Sequence, residues 1–475
     1  MRARSVLSIV AIVAIGIILT LGTGAAASGA TFEWTPPSPV SAGQPGRSAS
    51  IVVASDGSIT AVWLHDGPVY ASVVTATSDN DGASWSTPQT ISAAGVSADV
   101  PEVAALGGST LVAVWQRFGG GTTIVASTSL DGGATWTAPY ELPAPGIEQY
   151  YPDLASDGTR LIVTFSRYLG GTFSGVRAMT TTDGITWSPE VAVAGTAGYS
   201  HYSRVSVSGL SATVVWSSDD GTTSTLRTSS SSDGGLTWGP EQGISVPERY
   251  VFNPQLVRSA DGTLTVVWTG FTGTDWHEYA TSSTAGGTWT APLLLSTETG
   301  TPAVTTGPDS SIVISWTASG SNQLSFVRST DGGVTYSALA PITEVGTTVQ
   351  IASLIITPSG ELVAAAVGTV GADQLVLSHS STDGGLTWSA PTTLSTSTAP
   401  WDPRLAITAG GQPLVLWSGD AVSSSTRRLP APEALASGGV EPLPWAAAGL
   451  TSQYHAITAA ISAKHPDARN ATWPP

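Results

Sequence analysis

The stretch Ser231-Ser232-Asp233-Gly234-Gly235-Leu236-Thr237-Trp238 decides the fold, because copies of it recur along the chain at a nearly constant interval. The pattern Ser-x-Asp-x-Gly-x-Thr-Trp reads cleanly at Ser129 to Trp136 and Ser381 to Trp388, and at Ser329 to Tyr336 with tyrosine closing it. Decayed copies fill the gaps. Ser78 to Trp85 has Asn80 at the aspartate position, Thr180 to Trp187 has Thr182 there, and Ser282 to Trp289 has Thr284. With Trp34 as an eighth phase mark, the closing aromatics at 34, 85, 136, 187, 238, 289, 336 and 388 are separated by 51, 51, 51, 51, 51, 47 and 52 residues. A repeat near fifty residues marks a propeller or an array of like modules.

A second apolar landmark precedes each octapeptide: Ala61-Val62-Trp63, Ala113-Val114-Trp115, Val163-Thr164-Phe165, Val214-Val215-Trp216, Val266-Val267-Trp268, Ile314-Ser315-Trp316, Ala365-Ala366-Val367 and Val415-Leu416-Trp417. Such β-branched and aromatic runs, bounded by turns such as Asp56-Gly57 and Asp261-Gly262, read as strands, and no long helical period competes with them. The unit from Tyr151 to Ala194 divides into four strands, at 152–156, 160–166, 175–181 and 186–192, which is what a propeller blade requires. At the ends, 34–40 supplies a fourth strand with no unit before it, and 403–428 supplies three strands with no octapeptide after them. Pairing the two closes the circle and removes the free sheet edges that invite aggregation. The fold class is therefore all-β, a β-propeller of four-stranded blades numbering eight, or seven if the composite blade does not form.

Residues 1–27 have the grammar of an export signal: Arg2 and Arg4, an apolar run from Val6 to Leu21, then small residues up to Ala27. Cleavage there predicts a secreted protein with no membrane attachment; an uncleaved segment would retain it at the cell surface. The propeller then occupies 28–430, and 431–475 form an Ala/Pro-rich tail with a possible short helix at 451–464. The formal charge of −17, more negative still without Arg2 and Arg4, excludes nucleic acid as an expected partner and disfavours anionic membranes. The chain has no cysteine, so neither disulfides nor thiolate metal sites contribute. No metal or cofactor is expected, and the closed ring is expected to be monomeric.

The octapeptide resembles the Asp box, or bacterial neuraminidase repeat, of sialidases and other secreted β-propellers, and the resemblance runs from about residue 34 to 430. It implies that the box is a structural hairpin between third and fourth strands, on the face away from ligand. Asp131, Asp233, Asp331 and Asp383 are then structural residues, their carboxylates accepting local hydrogen bonds. Sialidases use an arginine triad for the substrate carboxylate, a tyrosine nucleophile activated by glutamate, and an aspartate acid/base. In register with their Arg-Ile-Pro segment stands Arg47-Ser48-Ala49, with alanine replacing the proline, and Asp66 falls near the acid/base position. Their late tyrosine has no counterpart, because Tyr336 lies inside a box and Tyr454 in the tail. Glu248 with Tyr202 or Tyr250 would serve only after a rearrangement.

Subtracting the repeat leaves the residues that need another explanation. Seven of the seventeen tryptophans fall at the closing position of the repeat, Trp34 included, and six end second strands, which leaves Trp276, Trp401, Trp445 and Trp473, the first two assigned to loops. Connections between blades, and turns between second and third strands, open on the face opposite the boxes. Sorted by that rule, blades two to five carry Arg117, Tyr150, Tyr151, Arg167, Tyr168, Tyr202, Arg204, Arg249, Tyr250, Trp276 and His277 as candidate ligand-binding residues. Rings to stack on sugar faces, beside planar hydrogen-bonding groups, suit an extracellular glycan or glycoconjugate. The leading expectation is a secreted glycan-recognising propeller without conventional sialidase catalysis. An exo-glycosidase of exo-α-sialidase type, with Arg47, Asp66, Glu248 and Tyr250 as its candidates, and a protein-interaction scaffold are the alternatives.

Overall fold

The computed structural model describes residues 33–428 except 143–146, 170–171, 194, 196–198, 247, 285–286, 299, 319–321, 344–347, 371–372 and 396–399. The export signal read at 1–27 and the tail read at 431–475 lie outside the described residues.

Antiparallel strands build eight sheets. Blade one runs outward from the centre as Arg47–Val53, Ile59–Asp66, Ala71–Ser78 and Gln89–Thr90. Blades two to seven repeat this plan on the inner strands Ser97–Ala105, Glu148–Ser156, Tyr199–Ser208, Tyr250–Arg258, Ala303–Thr306 and Thr348–Ile356. The eighth blade is composite. Trp401–Ile407, Pro413–Ser418 and Ser423–Arg428 come from one end of the chain, and Glu33–Trp34 and Ser38–Pro39 from the other, with Trp34 opposite Arg427 and Ser38 opposite Ser424. Each inner strand contacts the next, and Trp401–Ile407 contacts Arg47–Val53, so the sheets close into a ring of eight.

The core is a set of wedges between neighbouring blades. The aromatic residue ending each second strand is driven into the blade before it: Trp63 against Leu414 and Val422, Trp115 against Val62 and Leu64, Trp216 against Ile162 and Val176. Trp63, Trp115, Trp216, Trp268, Trp316 and Trp417 are all fully buried, each contributing roughly 5 kcal/mol of apolar burial relative to exposure. Blade seven has Ala366 at this position, on the same face as Leu362 and Ala364, and not the Val367 of the sequence pattern. The wedge it shares with blade six is filled from the other side by Phe326, whose ring meets Trp388 edge-on at 5.5 Å.

The octapeptides clamp the same wedges from the far end. Ser231 Oγ donates to Asp233 Oδ1 at 2.7 Å, the Thr237 N–H donates to the same oxygen at 2.9 Å, and the Gly235 N–H donates to Ser231 Oγ at 2.9 Å. Asp131, Asp331 and Asp383 repeat the arrangement with Thr135, Thr335 and Thr387. Gly235 adopts φ 86°, and a Cβ there would lie 2.9 Å from Ile162 Cδ1 of the preceding blade, so glycine serves both the turn and the close approach. Blade three differs from the sequence reading. Asp183, not position 182, takes the carboxylate role: Thr181 Oγ1 donates to it at 3.0 Å and the Thr186 N–H at 2.7 Å. The hairpin is intact and one residue shorter, a deletion that the constant spacing of the tryptophans conceals. The strands of this blade are also redrawn, to Glu148–Ser156, Leu161–Leu169, Thr172–Thr181 and Val191–Ala192.

The hydroxyl and N–H of Thr237 hold Asp233 down at about 2, as Thr335 and Thr387 hold Asp331 and Asp383. A depressed carboxyl stabilises the fold above its unfolded value of 3.8, and that contribution disappears as pH falls toward about 2. Asp233→Asn with Asp383→Asn should therefore melt below wild type near pH 6 and converge with it near pH 2. Thermal unfolding followed by tryptophan fluorescence reads this, and a gap independent of pH would exclude these carboxylates as its source.

Candidate functional site

The inner strands face the central channel with one free edge. In six of them an extra residue bulges out in the left-handed region: Ser48, Val100, Tyr151, Tyr202, Asn253 and Asp402, with φ between 48° and 55°. The register slips at each, as between Tyr150 and Asp153 or between His201 and Arg204. Proline follows in four, at Pro101, Pro152, Pro254 and Pro403, tolerated because that edge has no ladder to feed. Residues on and before the bulge stand at the channel mouth, and Asn253 and Asp402 also reach the wall. The second residue after the bulge turns into the wall.

The wall is charged. Glu102, Asp153, Arg204, Asn253, Gln255, Asp402 and Arg404 line a cavity of about 600 Å³ that draws on blades two to eight. A second cavity of about 430 Å³ shares Glu102, Asp402 and Arg404 with it and adds blade one. Arg204 pairs with Asp153 at 3.4 Å and Arg404 with Asp402 at 3.1 Å; Asp153 also accepts the Val205 N–H at 2.7 Å. Burial, then the charge of Asp153, pushes Glu102 up to about 7 against the attraction of Arg204 and Arg404. Burial raises Asp153 as well, opposed by Arg204 and the Val205 N–H. A raised carboxyl stabilises the fold fully below its unfolded value of 4.5, and that contribution is lost as pH climbs through about 7. Glu102→Gln, neutral throughout, should match wild type near pH 4 and exceed it by about 1–3 kcal/mol near pH 8, the range allowing for solvent screening. Thermal melts at the two pH values test this, and equal stability near pH 8 would contradict it.

Above the wall stand two groups of rings. Tyr168, Tyr150, Tyr151, Tyr202 and His201 form a chain with successive centroids 5.7, 6.0, 4.8 and 4.6 Å apart. Tyr151 and Tyr202 occupy equivalent bulges on adjacent blades, which is why their rings meet. On blade five, Tyr250 stacks on Phe271 at 6.2 Å, Trp276 lies 4.6 Å from Phe271 and 5.5 Å from Phe252, and the Arg249 guanidinium sits 5.0 Å over the Tyr250 ring. Tyr250 and Trp276 are each 37% exposed. Trp276 and Trp401, assigned to loops, instead open strands Trp276–Ser283 and Trp401–Ile407 while remaining exposed.

The remaining candidates are not drawn together. Arg47 forms a rim ion pair with Asp66 at 3.0 Å and reaches Asp99 at 3.3 Å, so Asp66 serves as its counter-ion. Arg117 and Arg167 turn toward the outer side of their blades, to Glu141 at 2.7 Å and Glu190 at 3.3 Å. Of the candidate arginines, Arg204 alone lines the channel cavity, beside Arg404, and no three-arginine clamp forms among the described residues. Glu248 is buried and meets neither Tyr202 nor Tyr250. It accepts the Tyr279 hydroxyl at 3.0 Å, and His277 Nδ1 lies 3.1 Å from that oxygen. Burial, the bond to Glu248 and its charge push Tyr279 up to about 12. Gly270 makes room for the pair: a Cβ there would lie 3.0 Å from the Tyr279 ring and 3.3 Å from Glu248 Cγ.

Sequence reasoning passed over Glu102 and Asp402 as wall residues. A signal was present. Glu102, Asp153, Arg204 and Gln255 fall at steps of 51 residues, and Glu102, Asp153, Gln255 and Arg404 each directly follow a proline.

The BNR repeat-like domain profile matches residues 69–250 and 225–414. Among solved structures the chain is similar to a Hadza microbial sialidase, at 15% identity over 69% of this chain and 74% of that one, with a TM-score of 0.39. It is similar to the GH93 α-L-arabinofuranosidase of Fusarium graminearum, at 18% identity over 66% and 99% with a TM-score of 0.40. It is also similar to the intramolecular trans-sialidase from Ruminococcus gnavus, at 14% identity over 81% and 94% with a TM-score of 0.39. A comparison with curated proteins finds no match. The ring of octapeptide-clamped blades and the two profile matches along it agree, and the chain belongs to the BNR repeat-like domain family.

Proposed function

We propose that the protein is an exported propeller that recognises extracellular glycan across the channel mouth between blades three and five. One observation carries the reading: the rings of Tyr151, Tyr202 and Phe252 stand on the same inner strands whose following residues, Asp153, Arg204, Asn253 and Gln255, wall a polar cavity of about 600 Å³. Rings above a hydrogen-bonding floor suit a sugar, which offers apolar C–H faces and a belt of hydroxyls. Export rests on the signal-like residues 1–27. Conventional sialidase catalysis is not part of the proposal, because the arginines are dispersed and Tyr279 holds its proton tightly.

The test is a glycan array followed by calorimetry on the best ligand. Tyr202→Ala and Trp276→Ala should each weaken binding about tenfold, with melting points close to wild type. Binding indifferent to both, or to no glycan at all, would favour an interaction scaffold. A second reading, glycoside hydrolysis in the same cavity, is favoured by Glu102, a carboxyl held neutral beside Asp153 and thus suited to donate a proton. Turnover of aryl glycosides, lost in Glu102→Gln, would establish it.

A further inference from the structure

At the end of the ring where the octapeptides lie, two departures from the repeat meet at one cavity. The rung closing each inner strand joins neutral residues in seven blades, as at Ala105 opposite Leu111 or Ile356 opposite Leu362; in blade five it joins Arg258 to Leu264. The other departure is the octapeptide Ser282 to Trp289, which has no carboxylate. Arg258, Ser211 and Ser283 line the same cavity of about 340 Å³, along with Thr213 and Thr228.

Arg258 carries the argument. Its Nε donates to Ser206 Oγ at 3.1 Å, but its Nη2 is buried without a protein partner. Burial alone lowers its affinity for its proton, with no carboxylate acting in the other direction, whereas Arg177 has Glu190 beside it. A half-buried cation without a counter-ion is costly, and in a chain of formal charge −17 many carboxylates were available to supply one. The surrounding hydroxyls are neutral donors. One positive charge among such donors matches one negative charge on oxygen; a divalent anion would leave the cavity net negative.

We propose that this cavity binds a monovalent oxyanion, a carboxylate or sulfate monoester carried on a small polar molecule, with Arg258 as its counter-ion and Ser211 and Thr213 as hydroxyl donors. The site lies at the opposite end of the ring from the channel mouth, so it stands or falls independently of glycan recognition.

The full chain is titrated with sodium acetate, sodium methyl sulfate and inorganic phosphate at constant ionic strength, read by calorimetry and thermal shift. Saturable stabilisation by acetate or methyl sulfate, with phosphate weaker, is the expected result, and the stronger of the two identifies the group. Arg258→Met should weaken that binding at least about tenfold. Ser211→Leu, at an exposed position of the lining, places an apolar side chain in the cavity; it should abolish the saturable shift in a protein that melts close to wild type. The proposal is overturned if neither monovalent probe gives a saturable shift, if phosphate binds most tightly, or if binding survives both substitutions.

Discussion

Deleting residues 33–39 is expected to turn the closed ring into an aggregating species with a markedly lower melting point. That segment is the outer part of the composite blade. Trp34 packs with Trp417 and Val376, Ser425 Oγ donates to the Thr35 carbonyl at 2.7 Å, and the Thr426 N–H donates to Thr35 Oγ1 at 3.1 Å. Its loss uncovers the edge of Ser423–Arg428 and removes one of the two indoles, Trp34 and Trp417, in the wedge between blades seven and eight. Unpaired N–H and C=O groups on an uncovered edge recruit other chains. Light scattering on heating distinguishes this outcome from a simple loss of contacts. A monodisperse deletion variant melting with wild type would mean that three strands suffice to close the ring.

Trp216→Ala should cost about 3–5 kcal/mol, the usual range for emptying a fully buried indole site. The indole sits between Ile162 and Val176 of one blade and Val214 of its own, and is wholly buried. Cooperative closure of the ring leaves those neighbours little freedom to collapse into the void. Trp216→Phe should lose much less, since the indole N–H that it deletes is buried without a protein partner. Urea unfolding of both variants, with the exposed Leu386→Ala as control, reads the difference. Equal losses for alanine and phenylalanine would place the stabilisation in the N–H and not in the volume filled.

The fold was legible because its determinants are periodic and local. Octapeptide spacing set the blade count, and the unpaired strand at Trp34 announced the composite blade. The short hairpin of blade three was misread because the residue it lacks is offset by one more elsewhere in the unit, which keeps Trp187 in phase, so the spacing carried no trace. The site was legible only in part. Tyr150, Tyr151, Tyr168 and Tyr202 do come together, because bulges place them at one lip. Arg117 and Arg167 do not join them, since a residue at the end of a second strand can turn toward the outer strand as readily as toward the mouth. Glu248 was paired with the wrong tyrosine because its partner lies two strands away, on an alternation that only the formed sheet brings beside it.

The left-handed bulges have a further consequence. Each isolates a lip residue from the wall residue two places on, because the extra residue resets the alternation between them. A substitution at Tyr151 or Tyr202 therefore alters what the mouth displays without re-aiming Asp153 or Arg204 beneath it. The blades work like the keys of a keypad on a shared frame. A new recognition pattern can be composed one key at a time, while the wedges that hold the frame closed go unchanged.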